Sequence, residues 1–190
     1  KQEYPQIELD LYEHGSKKVG ISVQEGLIDL GIVCTQPKEK DFESFFLDQD
    51  PMNVIIHRDN PLSKEKTIPL KKLANESLVL YRDDFNLHDE IITNCKKIGF
   101  QPKIVFETSQ RDLMIQTVVA NLGIALLPSR LCPTKESAPL VYESVVVRPL
   151  VEPKILHVLY VIWKRGHYLS HAAQLWLDFV RNRTRISSNV

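Results

Sequence analysis

The stretch from Lys103 to Pro128, KIVFETSQRDLMIQTVVANLGIALLP, leaves this chain few choices of fold. Ile104 to Phe106 is a short apolar run that reads as a strand, and it delivers Thr108 and Ser109 as hydroxyl caps of a helix. The helix is expected to close at Asn121-Leu122-Gly123. A second apolar run, Ile124 to Leu127, then ends at Pro128. Strand, cap, helix, glycine stop and strand make one βαβ unit. Such a unit turns backbone N–H groups and hydroxyls toward the crevice beyond the strand's carboxyl end, where open α/β sheets take small ligands.

The same pattern is expected twice more. Ile7 to Tyr12 alternates apolar and polar residues as a half-buried strand does, and His14-Gly15-Ser16 makes a turn with Ser16 as helix cap. Val19, Val23 and Leu27 form one helical stripe, Gly26 stops the helix, and Ile28 to Val33 reads as the next strand. Residues 35–50 read as a polar loop apart from Phe45-Phe46-Leu47, and Met52 to His57 as a strand. A turn from Asn60 to Leu70 leads into a short helix, Leu70 to Ala74. The second unit has strand Leu78 to Tyr81, loop Arg82 to Phe85, cap Asn86, and a helix bearing Ile91, Ile92, Cys95 and Ile98 that stops at Gly99. Beyond Pro128, Leu140 to Val147 is expected to be one strand or two, broken by Pro149 and Pro153. His157 to Trp163 is an apolar strand. The last helix shows Leu169, Ala172, Ala173, Trp176, Leu177 and Val180 on one face, and the polar tail from Arg183 is expected to fray.

Composition narrows the functional classes. With 190 residues and 43% hydrophobic content the chain can bury a core as one or two domains. Its 24 basic and 24 acidic side chains cancel, which argues against a nucleic-acid-binding surface spread over it. No apolar run approaches the ~18 residues that span a bilayer. The start, Lys-Gln-Glu-Tyr-Pro, reads as the tail of a helix, so a fragment is expected. Cys34, Cys95 and Cys132 form no Cys-x-x-Cys pair or disulfide framework, which fits a reducing, cytoplasmic setting with the thiols packed as small hydrophobes.

Enzyme signatures are missing: there is no dinucleotide fingerprint, phosphate loop or Gly-x-Ser-x-Gly elbow. His167 and His171 have metal-ligand spacing but no Glu between them and no third ligand, so a solvated helix start is the better reading. Asp83-Asp84 reads as a solvated loop before a helix rather than a catalytic pair. No catalytic residue, metal or cofactor is expected. What converges instead is Ser16, Asn86 and Thr108-Ser109, each where a strand gives way to a helix. Capping alone explains these residue types. Several positive helix ends around one crevice would also receive a small anion, and Arg82 could add a bidentate contact to a carboxylate.

Seven motifs in order carry a family resemblance: Tyr4-Pro5-x-Ile7-x-Leu9, Glu13-x-Gly15-Ser16, Gly26 to Ile32, Asn60-Pro61-Leu62, Leu73-Ala74, Gly99-Phe100-x-Pro102 and Leu122 to Pro128. Together they resemble the effector-binding domain of LysR-type transcriptional regulators, over essentially the whole chain. The resemblance implies two Rossmann-like α/β subdomains of the type II periplasmic-binding-protein kind, joined by crossover strands near Asn53 to Arg58 and Lys154 to Val158. The subdomains would be residues 1–53 with 152–190, and 54–151, with the effector in the cleft between them. The family's first strand and the start of its first helix would be missing. By similarity, effector contacts fall on Ser16, Cys34 and Thr35, and on Arg82, Phe85, Asn86, Thr108 and Ser109. Cys34 stands where some relatives have a hydroxyl. The implied effector is a small organic acid or other small anion, and the implied assembly a homodimer or homotetramer. In family dimers the helix after Ser16 meets the last helix of the partner, which would place Val23, Leu175 or Phe179 at an interface, with burial within the subunit as the rival explanation for each. DNA would be read only by an N-terminal winged helix outside this chain. The alternative is a solute-binding protein of a transport system, against which the unpaired cysteines and the absence of a secretion signal speak.

Overall fold

The computed structural model describes residues 4–37 and 40–187. In chain order the elements are α1 (Ser16–Glu25), β1 (Gly31–Val33), β2 (Phe42–His57), β3 (Ile68–Pro69), β4 (Ser77–Leu80), α2 (Asn86–Lys97) and β5 (Lys103–Glu107). They continue as α3 (Arg111–Val119), β6 (Ile124–Pro128), α4 (Pro139–Ser144), β7 (Val145–Val151), β8 (Leu156–Lys164) and α5 (His171–Ser187). The chain divides into two compact units, Lys1–Asp48 with Val158–Val190, and Gln49–His157. It passes from one to the other within β2 and within β8.

The second unit is a mixed sheet with helices packed on it. The later part of β2 pairs antiparallel with β7 on one side and with β6 on the other. β4 then lies parallel between β6 and β5, and β3 adds to β7 in parallel. Val54, Ile55, Ile56, Leu78, Val79, Leu80, Ala125, Leu126 and Leu127 are fully buried, as near-continuous apolar runs must be when both faces are covered. α2 supplies Leu87, Ile91 and Cys95 to this core, and α3 supplies Met114, Ile115 and Val118. Both β4–α2–β5 and β5–α3–β6 are βαβ units, as the two sequence patterns require. On β7, Arg148 spreads its guanidinium over three carbonyls: those of Glu65 (2.5 Å), Ser63 (3.0 Å) and Val147 (3.1 Å).

In the first unit, β1 pairs antiparallel with β8, Gly31 opposite Ile162. α1 lays Val19 and Val23 against Val33 and Ile162. α5 brings Leu177 to Val161 and Trp163, with Phe45, Leu47 and Trp176 around them. The Arg181 guanidinium lies over the rings of Phe45 (5.1 Å) and Trp163 (5.4 Å), a cation–π stack that fixes the helix on β2 and β8.

Several expectations are corrected. Ile7 to Tyr12 is no strand: among the described residues nothing pairs with it, and Leu9, Leu11 and Tyr12 are exposed, since an alternating pattern without a ladder neighbour has nothing to hold it. The first unit's helix and strand therefore complete no βαβ unit. Leu27 lies past the Gly26 stop (φ 74°) and is 71% exposed. The strand expected from Ile28 begins only at Gly31. Residues 42–50 of the supposed loop are strand, because Phe45 and Leu47 alternate onto Trp163. Leu140 to Ser144 is helical, not extended. Pro139 starts α4, and Arg58 donates to the end carbonyls of Tyr142 (3.0 Å) and Glu143 (2.7 Å). β7 runs through Pro149 to Val151. The left-handed residue closing α3 is Asn121 (φ 55°) rather than Gly123. Val23 is spent in its own unit's core at 1% exposure, whereas Phe179 is 37% exposed. α5 runs past Arg183 to Ser187. The expected fraying beyond that, like the helix tail read in the first three residues, falls outside the described residues.

Burial pushes the Cys95 and Cys132 thiols up to about 11. It also raises Cys34, where a hydrogen bond with Ser16 works in the opposite sense. The fold holds these thiols protonated, so their contribution is complete below the ordinary value of 9.0 and is lost as pH rises toward 11. Thermal unfolding is therefore expected to become easier between those values, by up to about 1.4 kcal/mol per pH unit for each buried thiol. Alkylation at pH 8 is expected to reach half-buried Cys34 first, and Cys95 and Cys132 only on unfolding. Prompt labelling of Cys95 in the folded domain, read by mass spectrometry, would contradict this.

Candidate functional site

In the second unit the carboxyl ends of β4 and β5 come together. Thr108 N–H donates to the Leu80 carbonyl (3.1 Å), continuing the parallel ladder one step past β5. Thr108 is 7% exposed, and its Oγ1 accepts from the N–H of Gln110 (3.1 Å), which is the true cap of α3. Thr108 and Ser109 thus stand just before the helix instead of capping it. The hydroxyl shapes the turn and keeps a proton and a lone pair beyond that bond.

α2 also starts one residue away from expectation. Phe85 holds the cap position in extended geometry, and Asn86 is the first helical residue, with no side-chain cap bond at that end. Phe85 is fixed by Tyr81, ring centroids 5.8 Å apart, and by the Arg82 guanidinium 5.9 Å above its ring. Arg82 meets a carboxylate of its own loop. Its Nε and Nη2 already donate to the two oxygens of Asp84, at 3.0 and 2.8 Å, and the pairing holds the guanidinium's pKa above its usual range. His88, on the first turn of α2, stands between Asp89 (3.2 Å) and Glu107 at the end of β5 (3.1 Å), tying helix start to strand end.

At the end of β6 the Ser129 hydroxyl accepts from Asn53 Nδ2 (2.9 Å), and Asp50 accepts the N–H of Arg130 (2.7 Å). Arg111 donates to the Leu131 carbonyl (2.6 Å). Asn53, His88, Glu107 and Ser129 are therefore further residues of this sheet end that the sequence reading missed. Ser129 obeys the same rule that singled out Thr108, a hydroxyl directly after an apolar strand. The His88–Glu107 contact joins residues 19 apart and leaves no sequence signal.

In the first unit Ser16 is the opening residue of α1, not its cap, which is Gly15. Its hydroxyl accepts instead from the Cys34 N–H just beyond β1 (3.0 Å), so the helix start and strand end are joined through Ser16. Ser16 is 7% exposed, and Cys34 and Thr35 are half-buried. All three are neutral.

A polar hollow of about 190 Å³ lies at the other end of β4 and β6, lined by His57, Asn60, Asn75, Glu76 and Asn121 among others. Asn60 serves the fold there, accepting from Leu62 N–H (2.9 Å) and donating to Glu76 (3.0 Å). His167 lies in the turn before α5 and His171 opens that helix. Among the described residues no group of three or more His, Cys, Asp or Glu could hold a metal ion, and no helix is long and apolar enough to cross a membrane.

A family model described as the LysR substrate binding domain matches residues 1–185. The chain is 39% identical over 182 residues to the HTH-type transcriptional regulator YwbI of Bacillus subtilis, covering 96% of this chain and 59% of YwbI. It is 28% identical over 181 residues to the transcriptional dual regulator GltC of the same organism, covering 95% of this chain and 59% of GltC. The chain thus spans 59% of the length of these two relatives. Among solved structures it resembles the regulatory domain of CcmR from Synechocystis in complex with 2-PG (TM-score 0.83, 23% identity, 96% of this chain and 86% of that one). It also resembles the BenM effector binding domain with its effector benzoate (TM-score 0.78, 21% identity, 100% of this chain and 84% of that one). The relatives are regulators, not transport proteins. By the extent of the family match and the identity to YwbI, the chain belongs to the LysR substrate-binding domain family and shares its α/β fold of the type II periplasmic-binding-protein kind.

Proposed function

We propose that this domain senses a small anionic effector on behalf of a DNA-binding transcriptional regulator, the DNA being read by another part of the full-length protein. The regulator would act in the cytoplasm as a homodimer or homotetramer. The family membership and the regulator relatives support the sensing role. Structures of relatives titled as complexes with shikimate, 2-PG and benzoate support a small-molecule effector. One observation carries the placement in the second unit: the buried Thr108 hydroxyl stands where β4 and β5 end and α3 is about to begin. Ser109 follows Thr108 in the chain and Asn86 opens α2 after β4, and with the N–H groups of the α2 and α3 first turns they are neutral donors available to such a site. Ser16, Cys34 and Thr35 are the contacts proposed in the first unit.

An effector acts only through its differential affinity for the conformations of the domain. It also stabilises the folded state, by about 2.7 kcal/mol at a concentration 100 times Kd. A thermal-shift panel of organic acids, sulfate and phosphate is expected to raise Tm for at least one anion. Thr108→Val, which keeps the volume and removes the hydroxyl, is expected to weaken that response at least tenfold. A response confined to neutral or cationic compounds would refute the anionic reading.

A further inference from the structure

The charged groups around Thr108 restrict the effector further, given the proposed anion-sensing function. Across residues 82–89 and 107–112 there are five carboxylates, Asp83, Asp84, Asp89, Glu107 and Asp112, and two guanidiniums, Arg82 and Arg111. Both guanidiniums are engaged. Arg82 binds Asp84 through two hydrogen bonds, and Arg111 binds Asp112 (2.6 Å) and the Leu131 carbonyl. His88 faces carboxylates with both ring nitrogens. Asp89 and Asp112 lie in the first turns of α2 and α3, where they offset the positive helix ends that would otherwise draw an anion.

We infer that the effector carries a single negative charge, a small monocarboxylate rather than a di- or trianion. One carboxylate is met by the neutral donors: the Thr108 and Ser109 hydroxyls, the Asn86 amide and main-chain N–H groups. A second carboxylate on the same small molecule would face segments flanking Thr108 whose negative groups outnumber the positive ones and whose cations are already paired. Like charges brought close together repel appreciably even in a high dielectric. Hydroxyl or ring substituents carry no such penalty.

The test uses matched acids on the domain as it is: propionate against succinate, lactate against malate, pyruvate against oxaloacetate, with affinities from calorimetry and thermal shift. At least one monoacid is expected to bind at least tenfold more tightly than its diacid counterpart. Asp84→Asn frees the Arg82 guanidinium and is expected to close that gap by several-fold, in favour of the diacid. A diacid that binds more tightly than its matched monoacid would overturn the inference and leave anion sensing intact. A gap that Asp84→Asn does not change would overturn it too, because rim charge would then not set the preference. Silence of every acid, beside a response to a neutral or cationic compound, would remove the anion reading and this inference with it.

Discussion

Replacing Leu126 with alanine is expected to destabilise the second unit by about 3–5 kcal/mol, the range for deleting a fully buried leucine side chain. Leu126 is 0% exposed and sits opposite Val54 on β6, which is flanked by β2 on one side and by β4 on the other. The loss exceeds the transfer free energy of the missing atoms. Backbone ladders on both sides hold the strands about 4.8 Å apart, so the cavity cannot collapse. For a chain this long the change corresponds to a Tm lower by roughly 10 °C, read by calorimetry or circular dichroism. Leu122, 64% exposed just two residues before β6, supplies the control, because Leu122→Ala is expected to change stability by less than about 0.5 kcal/mol. Equal effects of the two substitutions would mean that β6 is not the centre of this core.

Adding a single methyl group at Gly31 is the second large effect. An alanine Cβ there would stand 2.6 Å from Val19 Cγ1, 3.1 Å from Val23 and 3.2 Å from Ile162. These side chains are the buried contacts between α1, β1 and β8, and β-branched valines have little rotamer freedom with which to give way. α1 must then move off the strand pair, at a cost of about 1–3 kcal/mol for overpacking. Gly20→Ala on the same helix, whose new Cβ meets nothing nearer than 3.8 Å, is expected to be neutral or slightly stabilising through helix propensity. Chemical denaturation of the two variants separates the cases. If Gly31→Ala is as stable as Gly20→Ala, then α1 does not pack on β1 as described.

Both glycines look alike in the sequence, and that limit recurs along the chain. Periodicity within one segment was readable: the βαβ patterns around α2 and α3, the Gly26 stop, and the buried positions Ile91 and Cys95 all follow from spacing and local chemistry. Segments whose conformation depends on a distant neighbour were not. Ile7 to Tyr12 alternates as a strand should, yet finds no ladder partner among the described residues. Leu140 to Ser144 has strand-like composition, yet is helical because Arg58, more than 80 residues earlier, caps its carbonyls. The candidate site divides in the same way. Hydroxyls at the junctions of strand and helix can be picked out from composition and order. Whether Thr108 serves Gln110, Ser16 serves Cys34 or Arg82 is held by Asp84 depends on angles that no pattern encodes.

By itself, then, the order of residues determined the α/β class and the positions where strands hand over to helices, and its motifs carried the family resemblance. The first two are local regularities of hydrophobic spacing and backbone capping. Tertiary structure alone decided that His88 meets Glu107, which hydroxyls are buried and which apolar residues lack a covering layer. Each of those outcomes is set by the distance between groups far apart in the chain, and such distances exist only once the sheets have formed.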